Sequence, residues 1–213
     1  MKVIKLYEEF TQKTLNINND EYNLYFNHYK DDEDGDTKVV MWMNEGSQER
    51  NFNLVSKYLN SGESLLDYGC GIGGFTKYLE NNNINISDYL GVDINSNFIN
   101  FAKEKNPEYK FQHITDSNQI NGKWDSVVSI GVFTWYIERD EFIKTIKKLY
   151  DSANKQVLIT CNYGGFEDKD YYWNLEYRYY NENIFEKLFP NYNMTFDLNT
   201  ESGYTTLLVI IEK

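Results

Sequence analysis

Residues 64–75 read Ser-Leu-Leu-Asp-Tyr-Gly-Cys-Gly-Ile-Gly-Gly-Phe, an apolar run through the carboxylate of Asp67 into glycines at 69, 71, 73 and 74. Glycines in such a place admit positive φ and let the backbone approach a ligand closely, so the stretch is a binding turn and its ligand must be inferred from charge. The spacing Gly69 to Gly74 is that of a P-loop, but Phe75 stands where the phosphate-binding lysine would be. Gly69, Gly71 and Gly74 also satisfy Gly-x-Gly-x-x-Gly literally, so the pattern alone leaves a nicotinamide or flavin dinucleotide open. Asp67 weighs against it. At an effective dielectric near 20, two unit charges about 4 Å apart interact by roughly 4 kcal/mol. The carboxylate opposes a pyrophosphate and favours a ligand with positive charge. An acid that merely capped its own turn would explain Asp67 but not the acids downstream.

Those acids are Asp93, in Leu90-Gly91-Val92-Asp93-Ile94, and Asp116, in Phe111-Gln112-His113-Ile114-Thr115-Asp116-Ser117. With Asp67 they end three successive apolar runs, a placement suited to one nucleoside-shaped ligand. A ribose diol needs acceptors for two O–H groups, which a single carboxylate supplies. Asp93 alone would also suit the ribose of NAD.

The elements that must position these residues follow a βαβ rhythm. Helices are expected over residues 53–60, 75–81, 97–104 and 139–151, and strands over 64–67, 89–93, 109–114, 124–130 and 156–161. This is the pattern of an α/β fold, a Rossmann-like, doubly wound and mainly parallel sheet with its ligand at the carboxyl ends of the strands. A further helix over 183–189 and two runs, 194–198 and 205–212, separated by Ser202-Gly203, read as a closing helix and an antiparallel hairpin. The first fifty residues differ. Tyr22, Tyr25, Phe26 and Tyr29 recur at helical spacing as a core-facing stripe. The acidic run 31–36 is a solvated loop and not a calcium loop, since Gly35 in the sixth position would put Lys30 first and Met41 twelfth. The chain reads as one structural domain, with residues 1–50 an N-terminal helical lid and 51–213 the ligand-binding body.

With the three acids in place, the sequence resembles the class I S-adenosylmethionine-dependent methyltransferases over roughly residues 40–213. DYGCGIGG is similar to their glycine-rich first motif, and LGVDINSNFINFAKEKNP to their second. The resemblance implies S-adenosyl-L-methionine as cofactor, with Asp67, Gly69, Cys70, Gly71 and Gly73 around its methionine part. It implies Asp93 and Ile94 at the ribose, Asp116 and Ser117 at the adenine, and Gly131 and Val132 lining the methionine end. The segment Trp42 to Phe52 looks like the entry segment of a group of small bacterial and viral members without a fixed substrate. There Trp42, Gln48 and Arg50 would join the site, Arg50 offering a fork of N–H donors to the cofactor carboxylate; as ordinary helix-surface residues Gln48 and Arg50 would do none of this. Substrate contacts are expected at His28 and Tyr29 in the lid and at Trp135 and Tyr136 after the fourth strand, with no general base identified. The Asn/Asp/Ser-Pro-Pro-Tyr/Phe motif of amino-directed DNA methyltransferases is absent from 129–136.

Composition bounds the acceptor. A net charge of −12, from 21 basic and 33 acidic residues, gives no general attraction to phosphate backbones or anionic membranes. The start MKVIKLYEEF is too short an apolar run for a signal peptide, and no stretch of 18 apolar residues suggests a membrane span. Cys70 and Cys161 form no metal-binding pair and are expected as reduced thiols, with no metal site. The expected protein is soluble and cytoplasmic, and moves a methyl group to a small-molecule acceptor. A nucleic-acid or protein acceptor, an S-adenosylmethionine-binding protein without transfer, and an NAD-dependent oxidoreductase are the alternatives.

Overall fold

The structure, a computed structural model, describes residues 27, 30, 45–134, 139–164, 179–201 and 204–213. Helix α1 (Glu45–Ser56) leads into strand β1 (Ser64–Tyr68), helix α2 (Gly74–Asn81), strand β2 (Asp88–Asp93), helix α3 (Ser96–Lys105) and strand β3 (Lys110–His113). Strand β4 (Trp124–Ile130), helix α4 (Arg139–Ser152) and strand β5 (Ala153–Tyr163) follow, then the short β6 (Tyr179–Tyr180), helix α5 (Glu182–Leu188), and strands β7 (Asn193–Glu201) and β8 (Tyr204–Glu212).

Among the described residues these strands form one sheet in the order β3-β2-β1-β4-β5-β8-β7, with β6 pairing β5. Strands β1 to β5 pair in parallel, and β8 returns antiparallel between β5 and β7. The doubly wound sheet and the C-terminal hairpin are the expected ones. Strand β4 is buried along almost its whole length because helices cover both faces, the usual condition of a parallel strand. On one face Leu65, Tyr89, Phe111 and Val128 pack against Phe52 and Val55 of α1, Phe75 and Leu79 of α2, and Ile99 and Ala102 of α3. On the other, Leu66, Val127, Val157 and Val209 meet Phe142, Ile146 and Leu149 of α4 and Phe185 of α5. The chain changes face between β1 and β4, and at that switch point the loops leaving the two strands open a crevice.

Local chemistry sets the helix starts. Gly73, at φ 83°, is the N-cap of α2, and the Asn95 side chain caps α3 by accepting from the amides of Asn97 (2.9 Å) and Phe98 (3.3 Å). The first helix departs from the expected 53–60. It begins at Glu45 and ends at Ser56, whose hydroxyl donates to the carbonyl of Asn53, and tight turns then carry Leu59 into the core. The apolar spacing of Phe52, Val55 and Leu59 therefore persists beyond the helical backbone. Strand β6 and the 3₁₀ turns at 117–119 and 132–134 had no expectation attached to them. No helix among the described residues is long and apolar enough to cross a membrane.

Candidate functional site

The glycine turn after β1 is held by its own amides. Gly69 and Cys70 both donate to the carbonyl of Val92 (2.7 and 3.1 Å), Gly71 to the Asp93 carboxylate (3.0 Å), and Gly73 to the carbonyl of Cys70 (3.0 Å). Gly69, Gly71 and Gly73 have φ of 77°, 55° and 83°, where a side chain is strained. Space is equally limiting. A Cβ on Gly69 would collide with Val132, so the turn after β1 and the turn after β4 touch at that glycine. One on Gly73 would lie 2.8 Å from Asn106 Nδ2 and 2.9 Å from Phe111 Cζ. Four amides of the turn are thus committed within the protein.

Asp93 stands half-buried at the end of β2. Its Oδ2 accepts from Gly71 and its Oδ1 from the Asn95 amide (2.8 Å), which ties the glycine turn to the entry of α3. Burial raises its pKa, opposed by the amides of Asn95 and Gly71. The Ile94 amide also bonds the carboxylate, and the Ile94 side chain is 47% exposed, an apolar surface next to an acceptor. Such a pair suits a ribose diol with a base or sugar face laid over Ile94. His113, in register with Asp93, bonds the Ile94 carbonyl through Nε2 (3.0 Å).

Asp67 is placed differently. It is only 2% exposed, beneath the turn, and its Oδ2 accepts from the Tyr89 hydroxyl (2.8 Å). Burial pushes its pKa up to about 7, with the Asp93 charge adding in the same direction. Gly91, in register with Asp67 on the neighbouring strand, makes room for Phe111 and Cys70, since a Cβ there would meet Phe111 at 2.6 Å and Cys70 Sγ at 2.9 Å. Cys70 is buried too, its thiol shifted well upward by burial, and it fills the turn as a small residue; Cys70 and Cys161 are both free thiols.

Asp116 caps the 3₁₀ turn that follows β3, accepting from the Asn118 amide at Oδ1 and from Lys144 Nζ at Oδ2, each at 2.7 Å. The Lys144 bond first, then the Asn118 amide, holds its carboxyl below the ordinary range. Ser117 is buried, and its hydroxyl accepts from Thr145 Oγ1 of α4 (3.5 Å). At the exit of β4, Gly131 (φ 77°) donates its amide to Thr160 Oγ1 of β5 (2.9 Å), and its carbonyl accepts from Thr134 Oγ1 (2.6 Å).

Gln48 of α1 lies against Gly74, about where a Cβ there would sit 3.5 Å from Nε2, so α1 reaches the glycine turn. Arg50 is half-buried on the same helix. Contacts thus join Gly69 to Val132, Gly71 to Asp93 and Gln48 to Gly74, with Asp116 after the end of β3. Trp42, His28, Tyr29, Trp135 and Tyr136 lie outside the described residues, as do the aromatic stripe and the acidic run. Tyr89, Thr160, Lys144 and Asn95 had no place in the sequence reading. Only Asn95 had a local signal, as a helix cap; the others act across strands. No cluster of metal-ligating side chains occurs among the described residues.

Residues 66–153 match the family model described as a methyltransferase domain. No curated protein matches the chain in sequence. Among solved structures, the magnesium protoporphyrin IX methyltransferase of Synechocystis with bound SAH is similar over 97% of this chain and 99% of its own, at 15% identity and TM-score 0.63. A TehB-like SAM-dependent methyltransferase of Corynebacterium glutamicum is similar over 92% and 100%, at 17% identity and TM-score 0.62. TehB of Haemophilus influenzae is similar over 85% and 66%, at 20% identity and TM-score 0.58. At these identities the likeness is one of fold. The matched segment runs from β1 to the start of β5 and contains the glycine turn, all three acids and the exit of β4. Residues 66–153 thus match a methyltransferase domain, and the sheet has the Rossmann-like fold of the S-adenosylmethionine-dependent methyltransferases among its structural neighbours.

Proposed function

We propose that this chain binds S-adenosylmethionine across the carboxyl ends of β1, β2 and β4 and transfers its methyl group to a small-molecule acceptor. The observation that carries the cofactor reading is Asp93, a half-buried carboxylate at the end of β2 fixed by amides and set beside the exposed Ile94, an arrangement suited to a ribose diol. When bound, the cofactor supplies an electrophilic methyl group on a positively charged sulfur that is a good leaving group.

The chain's own part is alignment and exclusion of water. Asp93 and Ile94 hold the nucleoside end, and the meeting of Gly69 with Val132 shapes the crevice for the methionine end. Gln48 and Arg50 of α1 supply polar contacts at its mouth. Residues 51–213 form the cofactor-binding domain, with residues 1–50 contributing to the cover and His28, Tyr29, Trp135 and Tyr136 to the acceptor side. Fixed geometry of this sort lowers a displacement barrier by about 7 to 11 kcal/mol in well-oriented cases, so nitrogen and sulfur acceptors need no general base. The net charge of −12 supports a small acceptor over a polyanion. A neighbour of the same fold is a porphyrin methyltransferase, which is consistent with a small acceptor.

Calorimetry against S-adenosylhomocysteine, NAD and FAD tests the cofactor. Binding of the first alone is expected, and tight NAD binding without a response to S-adenosylhomocysteine overturns the reading. Transfer of labelled methyl over a panel of metabolites, nucleic acid and protein then tests the acceptor. Label in the small-molecule pool is expected; label only in RNA, DNA or protein moves the acceptor class, and binding without transfer to any of them leaves a cofactor-binding protein.

A further inference from the structure

The acid at the β3 end of the crevice is gripped from the opposite side of the sheet. Asp116 follows Ile114, whose amide donates to the carbonyl of Asp93 at 3.0 Å, so the adenine-end acid is tied directly to the ribose-end strand. A carboxylate held at one oxygen can still turn about its last torsion, which is broad for Asp. Asp116 is held at both, by the Asn118 amide at Oδ1 and by Lys144 Nζ at Oδ2, each at 2.7 Å. Lys144 comes from α4 and is itself steadied by Glu141 Oε2 at 3.3 Å. The pair is not sealed off. The Asp116 side chain keeps 40% of its exposure and Lys144 38%, so a ligand edge reaches the carboxylate while its orientation is fixed.

We propose that Lys144 is a positioning residue that sets base discrimination, by holding the free lone pairs of Asp116 toward the exocyclic amine of the cofactor's purine. The inference rests on the cofactor reading above. An amine donates into such an acceptor. A carbonyl at the same ring position would set an acceptor against an acceptor, and would be rejected only while the carboxylate cannot turn aside. Lys144 therefore acts through Asp116, and its removal leaves the ribose contact at Asp93 untouched. The structure-stabilising value of this exposed ion pair is small, which separates its effect on recognition from any effect on folding.

The test compares S-adenosylhomocysteine with S-inosylhomocysteine, in which a carbonyl replaces the purine amine. Affinities are measured for the wild type, Lys144→Met and Lys144→Arg, with a thermal transition recorded for each and Lys144→Gln as the second charge-removing variant. Wild type should prefer the adenine ligand. Lys144→Met and Lys144→Gln should lose about tenfold of that preference, mostly through weaker S-adenosylhomocysteine binding. Lys144→Arg should restore it, since a guanidinium keeps charge and donors in place. An unchanged ratio in both charge-removing variants, including an equal weakening of both ligands, overturns the proposal while leaving the cofactor reading intact. Wild-type protein that binds neither ligand overturns both.

Discussion

Asp93 shows how much one side chain does at this site. Its two oxygens join the glycine turn to the start of α3 while facing the crevice, so it organises the backbone and presents acceptors at once. Asp93→Ala should weaken S-adenosylhomocysteine binding by about 1 to 3 kcal/mol, because two ribose hydroxyls lose their acceptor and the Gly71 amide loses its anchor. Calorimetry measures the loss, and far-UV circular dichroism should show the fold retained. Affinity equal to that of the wild type would place the ribose elsewhere. Asp67, two residues before the turn, could be singled out in the sequence as an acid near the ligand, yet its environment could not. Whether an acid at a strand end faces solvent or a neighbouring tyrosine depends on what the adjacent strand presents. Here that strand brings Tyr89.

The elements were more legible than their uses. Alternation and apolar runs are local properties, and they marked β1 to β5, α2 to α5 and the final hairpin to within a few residues. The start of α1 was less legible because Glu45–Arg50 is polar and offers little periodicity. Its helical turn is supported instead by Asn51 Nδ2 donating to the Ser47 carbonyl (2.9 Å). Contacts between elements were not legible at all. The exit of β4 is fixed by β5, through Thr160 Oγ1 accepting the Gly131 amide, a contact between two buried strands with no sequence signature. Thr160→Val keeps the volume and removes the acceptor. It should cost about 1 kcal/mol in urea denaturation, because the half-buried Gly131 amide loses its acceptor, and should raise the hydrogen-exchange rate of that amide. Unaltered exchange at Gly131 would show that Thr134 alone holds the turn.

At the scale of the whole molecule, the buried acid under the turn couples global stability to pH. Asp67 rises from its ordinary 3.8 to about 7 in the folded chain, so the native state holds a proton that the unfolded state releases. That stabilisation is complete below about pH 4 and is lost as pH rises through about 7, a change on the order of 4 kcal/mol. The Asp93 charge reinforces the shift, and the hydrogen bond from the Tyr89 hydroxyl opposes it. Asp116 and Asp125, whose carboxyls are held low by Lys144 and the Ser64 amide, act in the opposite sense and only as pH falls toward 4 and below. Urea unfolding should therefore show wild-type stability declining from pH 5 to 8 and a flatter profile in Asp67→Asn; parallel profiles would mean that the carboxyl is ionised in the folded protein across the range. The same scale separates what sequence and structure each decided. The sequence by itself determined the glycine turn, the three strand-end acids, the βαβ rhythm and the closing hairpin, because positive φ, helix capping and side-chain alternation are set by steric and hydrogen-bonding preferences within a few residues. Only the tertiary structure decided that Gly69 closes on Val132, that Asp67 is buried on Tyr89 while Asp93 faces the crevice, and that Lys144 grips Asp116. These pairings depend on strand order and on which face of the sheet each helix covers. Both are fixed by packing between distant segments, which no local pattern encodes.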